Sequence, residues 1–155
     1  MDPLERAIAR SAIEDLLFSY AERIDAGDFA GIGRLFARGR MLAPDGRPIG
    51  MGGTEIEAIY DRSTRRYEDG TPMTQHLTTN VIVEFAEDGR SAEARARFTV
   101  MQALPDFPLQ CIITGDYEDR FAVDESGTWY FTERCMKPRI LGDLSRHLRF
   151  DLSDA

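Results

Sequence analysis

Two histidines occur in this chain of 155 residues, His76 within "PMTQHLTTN" and His147 within "GDLSRHL". Imidazole gains and loses a proton near neutral pH, so each is a candidate acid or base. His76 heads an apolar-rich run. In such a setting an imidazole moves protons well when a carboxylate holds its other ring nitrogen, which fixes the tautomer and stabilises the imidazolium. His147 sits near the chain's end and reads as a surface or lid residue. The two cysteines, Cys111 and Cys135, fall in different strand-like runs with neither CxxC spacing nor a neighbouring histidine. They read as buried apolar thiols rather than as zinc ligands or a disulfide. The chemistry open to these residues is proton transfer, with no metal and no cofactor expected.

The elements that must position these groups follow from pattern. Leu4, Ile8, Ala12, Leu16, Tyr20 and Ile24 recur every four residues, widened by Ile13 and Leu17, and predict an amphipathic helix over 3–25. Gly27 stops it, and the Asp28 carboxylate can cap a second short helix, "FAGIGRLFA". The glycine-rich stretch "RGRMLAPDGRPIGMGG" suits a short strand, a turn and another short strand. "TEIEAIYDRSTRRY" opens with the capping-box pair Thr54 and Glu57 and predicts a third helix to about Tyr67. Four β-rich runs follow, 77–85, 91–103, 109–123 and 128–136, joined by "AEDGR", "LPDFP" and "DESG". Helices first and a long antiparallel meander afterwards predict one α+β domain over 1–155. Its three helices cover the concave side of a strongly twisted sheet and leave a cone-shaped pocket. The tail, 138–155, is placed to fold over the mouth of that cone.

Composition narrows the partners. With 19 basic against 27 acidic residues the formal net charge is −8, the wrong sign for holding phosphate backbones, so no nucleic acid is expected. No run approaches the length of a membrane span and the N-terminus lacks signal-peptide grammar, so the expectation is a cytoplasmic protein without membrane contact.

The phrases "IEDLLFSYAERIDAGDFAGIGRLFA", "GGTEIEAIY", "GTPMTQHLTTNVIVE", "TGDYEDRFAVDESGTWYFTERC" and "GDLSRHL" resemble, in order, the successive blocks of the SnoaL-like branch of the nuclear transport factor 2-like superfamily. The resemblance covers nearly the whole chain. It implies a pocket for a small apolar or alicyclic molecule and a homodimer paired through the outer sheet face. The superfamily's dehydratases and its dehydrochlorinase pair an aspartate ending the first helix with a histidine opening the strand after the third; those positions here are Asp25 and His76. Tyr20 matches a tyrosine of the bile-acid dehydratase pattern and could donate a hydrogen bond to a substrate carbonyl. The implied activity is a metal-free lyase or isomerase. The alternative is a non-catalytic ligand-binding or assembly module, like the β subunits of ring-hydroxylating dioxygenases. No second acid or base matches on the next strand, where Ala96, Arg97 or Thr99 falls. An inward Arg97 would bind an anionic group or an enolate.

Strand alternation sketches the pocket wall. Cys111, Ile113, Gly115 and Tyr117 share one face, as do Phe98 with Val100 and Trp129 with Phe131. Glu133 and Arg134 read as a salt-bridged sheet face.

Overall fold

The computed structural model describes residues 1–150. Helix α1 (Pro3–Asp25) opens on a capping box, in which the Asp2 side chain accepts from the Glu5 backbone and Glu5 reaches back to Asp2. Its buried stripe is Ala9, Ile13, Leu17, Tyr20, Ala21 and Ile24. Leu4 and Ile8 are 69% and 63% exposed. A spacing of four overshoots one helical turn by about 40° at each step, so the early members of the four-residue series rotate off the face that Tyr20 and Ile24 bury. Gly27, at φ +69°, ends the helix as expected, and the Asp28 carboxylate accepts from the Gly31 N–H at 2.8 Å to cap α2 (Phe29–Leu35).

The short strands β1 (Arg40–Leu42) and β2 (Pro48–Met51) form, and α3 (Gly52–Ser63) starts directly after them. Its expected capping box does not form, because the helix begins two residues before Thr54. Its N-cap is Met51, with no side-chain cap, and Glu55 accepts from the Met51 N–H at 2.9 Å instead. The helix ends at Ser63 rather than near Tyr67.

The meander is β3 (Thr74–Phe85), β4 (Ser91–Leu104), β5 (Phe107–Val123) and β6 (Trp129–Leu141). β3 takes in Thr74 and Gln75 ahead of His76. β6 runs past Met136 through Pro138, which is tolerated because the ladder is irregular beside its partner Gly115. The six strands lie in the order β2-β1-β6-β5-β4-β3, all neighbours antiparallel except β1 beside β6. The result is an α+β fold, three helices on a curled, unclosed mixed sheet.

The sheet's inner face carries Ala92, Ala94 and Ala96 of β4 opposite Phe121, Asp119 and Tyr117 of β5. These three small side chains make room for bulky neighbours in the layer beneath α1. Gly115 serves the same purpose more sharply. A Cβ there would lie 2.4 Å from the Phe98 ring and 2.5 Å from the Lys137 carbonyl oxygen, whereas the glycine lets Phe98 stack on Tyr117 at 4.6 Å. Gly115→Ala is therefore expected to cost about 1–3 kcal/mol through overpacking, read as a lower urea midpoint; an unchanged midpoint would mean that Phe98 moves aside freely.

Candidate active site

The site begins at the C-terminal end of α1. Asp25 is the helix's last residue, and β3 runs past it so that Asp25 accepts three hydrogen bonds. Its Oδ2 takes the His76 backbone N–H at 2.7 Å. Its Oδ1 takes the Thr74 hydroxyl at 2.8 Å and lies 2.6 Å from His76 Nδ1. A carboxylate can only accept, so the ring nitrogen facing it carries the proton and the neutral imidazole keeps Nε2 bare. The structure thus brings Asp25 and His76 together, with the His76 ring almost wholly buried.

Register fixes which way the ring faces. His76 pairs with Val100, Thr78 with Phe98 and Thr74 with Gln102, and Phe98, Val100 and Gln102 are all buried. The alternation Thr74, His76, Thr78 therefore lines the inner face.

Tyr20 lies elsewhere on α1. Five residues along a helix turn the side chain about 140° around the axis, so Tyr20 and Asp25 point to different neighbours. The Tyr20 hydroxyl is 2.6 Å from that of Tyr60 and donates to Met136 Sδ at 3.6 Å. Its ring meets Phe36, Tyr60 and Tyr117 edge-on. Among the described residues no hydrogen bond or ring contact links Tyr20 to Asp25 or His76. Burial, opposed in part by Arg134, raises the Tyr20 phenol above its ordinary range, so this group donates hydrogen bonds and does not ionise.

Beneath Tyr20 lies a buried ion pair formed by Arg134, which the sequence reading set with Glu133 on a salt-bridged sheet face. Arg134 is fully buried on the inner face and grips Asp119 with two bonds of 2.8 Å. Its guanidinium carbon stands 4.2 Å and 4.0 Å from the Tyr20 and Tyr117 ring centroids. Burial alone would weaken its charge, but the Asp119 carboxylate overrides that and raises its pKa. Glu133 does face outward, where it binds Arg40. Arg134 turns inward because the β5–β6 register shifts between Arg120 and Phe121, leaving Thr132 unpaired and inverting the alternation that follows it.

Phe98, Val100 and Tyr117 are buried and Ile113 half-buried on the inner face. Two expected wall residues are not there. Cys111 is exposed, because Ile112 is an extra residue between the pairs Val100–Ile113 and Met101–Cys111 and turns Cys111 outward. Arg97 is exposed opposite Asp116, where strand alternation puts it on the outer face. Of the two cysteines, Cys135 alone is buried.

His147, read as a surface or lid residue, is not at the surface but lies in a covering segment. It is only 6% exposed, and its ring centroid lies 6.2 Å from that of His76. The segment after β6 folds back over the end of the sheet and holds it there. The Arg65 N–H donates to the His147 carbonyl at 2.8 Å, the Tyr67 hydroxyl donates to the Arg146 carbonyl at 2.5 Å, and Arg146 pairs with Asp106. This covering segment starts at Gly142, since 138–141 belong to β6; residues 151–155 of the anticipated tail lie outside the described residues. The covering segment thus lies over the end of the cone that carries His76. Two open grooves, of about 520 and about 460 Å³, run along the outer face and beside the covering segment, and neither is lined by His76, Asp25 or Tyr20.

Burial, reinforced by His76 and opposed by Asp25, pushes the His147 pKa down from 6.5 to about 4. Between those values the unfolded chain holds the extra proton, so stability falls as pH drops from 6.5 towards 4. The loss is expected to reach roughly 3 kcal/mol. Urea titrations at about pH 7 and about pH 4.5 should show it, and His147→Gln should remove that component; a variant with the wild-type pH dependence would refute the assignment.

Among the described residues no three His, Cys, Asp or Glu side chains gather as a metal site, and no helix is long and apolar enough to cross a membrane. What the fold sets in place is a carboxylate–imidazole pair inside an α+β cone. The chain belongs to the SnoaL-like domain family, whose model matches residues 5–135. Among solved structures it is similar to a protein of unknown function from Mycobacterium tuberculosis, at 25% identity over 91% of this chain and 78% of that one, with a TM-score of 0.72. It also shares the fold of LinA, at 18% identity over 94% and 95% of the two chains and a TM-score of 0.73. A Novosphingobium aromaticivorans protein assigned as a scytalone dehydratase aligns at 17% identity over 90% and 89%, with a TM-score of 0.69. No curated protein matches the chain in sequence.

Proposed function

We propose that the protein is a cofactor-independent lyase or isomerase that moves a proton through His76 on a small apolar or alicyclic molecule. The observation that carries this reading is the triply bonded Asp25, which holds His76 with Nδ1 protonated and Nε2 bare towards the inner face. Nε2 takes a proton from carbon beside an electron-withdrawing group while Asp25 stabilises the imidazolium. For a lyase, the electron pair left on carbon forms the double bond and expels a β-hydroxyl, which leaves as water with the proton returned from Nε2. One imidazole then serves both steps and ends neutral. The apolar residues Phe98, Val100 and Tyr117 supply the dry surround, and Tyr20 has a positioning role, anchoring α1 through Tyr60 and Arg134. Substrate entry requires movement of the segment that carries His147.

The test needs no knowledge of the natural substrate. Alicyclic ketones such as 2-tetralone, incubated in deuterated water, should exchange their α-protons with the wild-type protein and not with His76→Ala of equal thermal stability. Equal exchange by both proteins would remove His76 from the chemistry. No exchange by either, across a panel of such ketones, would favour a ligand-binding module.

A further inference from the structure

Five buried side-chain polar atoms among the described residues lack a hydrogen-bond partner, and three of them, Thr78 Oγ1, Gln102 Oε1 and His147 Nδ1, belong to residues around His76. Thr78 is the next inward residue along β3. Gln102 is opposite Thr74, one diagonal step from His76 across the β3–β4 ladder. His147 lies beside His76 in the covering segment, the two rings tilted with centroids 6.2 Å apart. Convergence of this kind is unusual, since buried polar atoms are nearly always satisfied and the exceptions call for a ligand or a catalytic role.

Gln102 is the most informative of the three. It is 1% exposed, and its amide nitrogen donates to the Pro72 carbonyl at 3.0 Å and the Arg146 carbonyl at 3.1 Å. Both N–H bonds are therefore spent, and a flipped amide would set its oxygen against two carbonyl oxygens. Its orientation is fixed, leaving Oε1 as a pure acceptor that a carbonyl, an ether oxygen or a halogen cannot satisfy. An alcohol can. His147 is neutral at pH 7, as its burial dictates, and so offers one donor and one acceptor rather than a charge. Gln102 and His147 are held in one neighbourhood, since the Gln102 amide binds the carbonyl of Arg146, the residue before His147.

We propose that Gln102 Oε1, His147 Nδ1 and Thr78 Oγ1 form a polar subsite beside the Asp25–His76 pair, and that the substrate presents a hydroxyl donor to it. This rests on the proton-transfer reading and deepens it: the hydroxyl received by Gln102 is placed within reach of the imidazole that would protonate it as it leaves. Gln102 and His147 are substrate-contacting groups, and neither needs to titrate.

The probes are 2-tetralol and its methyl ether, 2-methoxytetralin, titrated into the full-length protein and followed by nitrogen-15 NMR. The alcohol is expected to bind at least about tenfold more tightly than the ether, the free-energy equivalent of about one hydrogen bond. It should move the Gln102 side-chain amide and His147 ring signals where the ether does not. Gln102→Met, which keeps the shape and removes the acceptor, should abolish the preference. The wild-type signals decide the matter even if that variant loosens the covering segment. Equal affinity for the two probes, no binding of the alcohol up to about 10 mM, or alcohol-induced shifts that bypass Gln102 and His147 would each overturn the proposal. Failure of the proton-transfer reading would show separately, as ketone exchange indifferent to His76→Ala with the alcohol preference intact.

Discussion

Asp119→Asn should destabilise the protein by about 3–5 kcal/mol, the cost of stranding a buried charge whose partner has been removed. Arg134 is fully buried, and its guanidinium cannot shed its proton to escape. An asparagine at 119 offers one oxygen to a fork that now makes two bonds of 2.8 Å, and turns an amide N–H towards the other. The surrounding Tyr20, Tyr117, Phe36 and Phe131 rings favour a cation through their faces but supply no counter-charge. Removing both charges is a different matter. Apolar groups of similar size often replace a buried pair at little cost, so Arg134→Met with Asp119→Leu should recover most of the loss. Urea denaturation of the single and double variants measures both effects. A single variant within about 1 kcal/mol of wild type would mean that water reaches the pair.

Asp25→Asn should leave the fold intact and lower turnover by about two to four orders of magnitude, because it reverses the imidazole. The reasoning is stereochemical. Oδ2 of Asp25 faces the His76 backbone N–H, which can only donate, so the asparagine must set its oxygen there. Its NH2 group then faces His76 Nδ1, now 2.6 Å from a carboxylate oxygen. A donor at that point forces Nδ1 to accept and moves the proton to Nε2, the atom that must be bare to act as base. Thr74 keeps a partner only by rotating its hydroxyl. His76→Ala removes the base itself and should reduce turnover at least as far. A steady-state assay of any ketone found to exchange would measure both, and an Asp25→Asn rate within a factor of about three of wild type would deny the carboxylate its role.

The elements readable from the sequence followed from unbroken periodicity. The pairing of Asp25 with His76 came from the family resemblance; the two side chains meet because β3 alternates without interruption from Thr74 to Thr79 and α1 ends where Gly27 requires. What was missed lies after interruptions. Thr132 shifts the phase of β6, so Arg134 faces inward although Phe131 does too. Ile112 does the same to β5 and sends Cys111 out. A bulge leaves no mark in a single sequence, since it depends on which partner residues pair. Gln102 was within reach: alternation from Phe98 through Val100 puts it on the inner face. His147 was not. The segment "GDLSRHL" has no period, and its burial comes from bonds to Arg65, Tyr67 and Gln102, distant in sequence.

The central claim is that Asp25 sets the proton on His76, and nitrogen-15 NMR of the imidazole reads this directly. In the wild-type protein the neutral His76 ring should carry its hydrogen on Nδ1, with Nε2 unprotonated. In Asp25→Asn the two nitrogens should exchange character while the His147 signals stay in place. A wild-type His76 protonated mainly on Nε2, or a tautomer that Asp25→Asn leaves unchanged, would contradict the account.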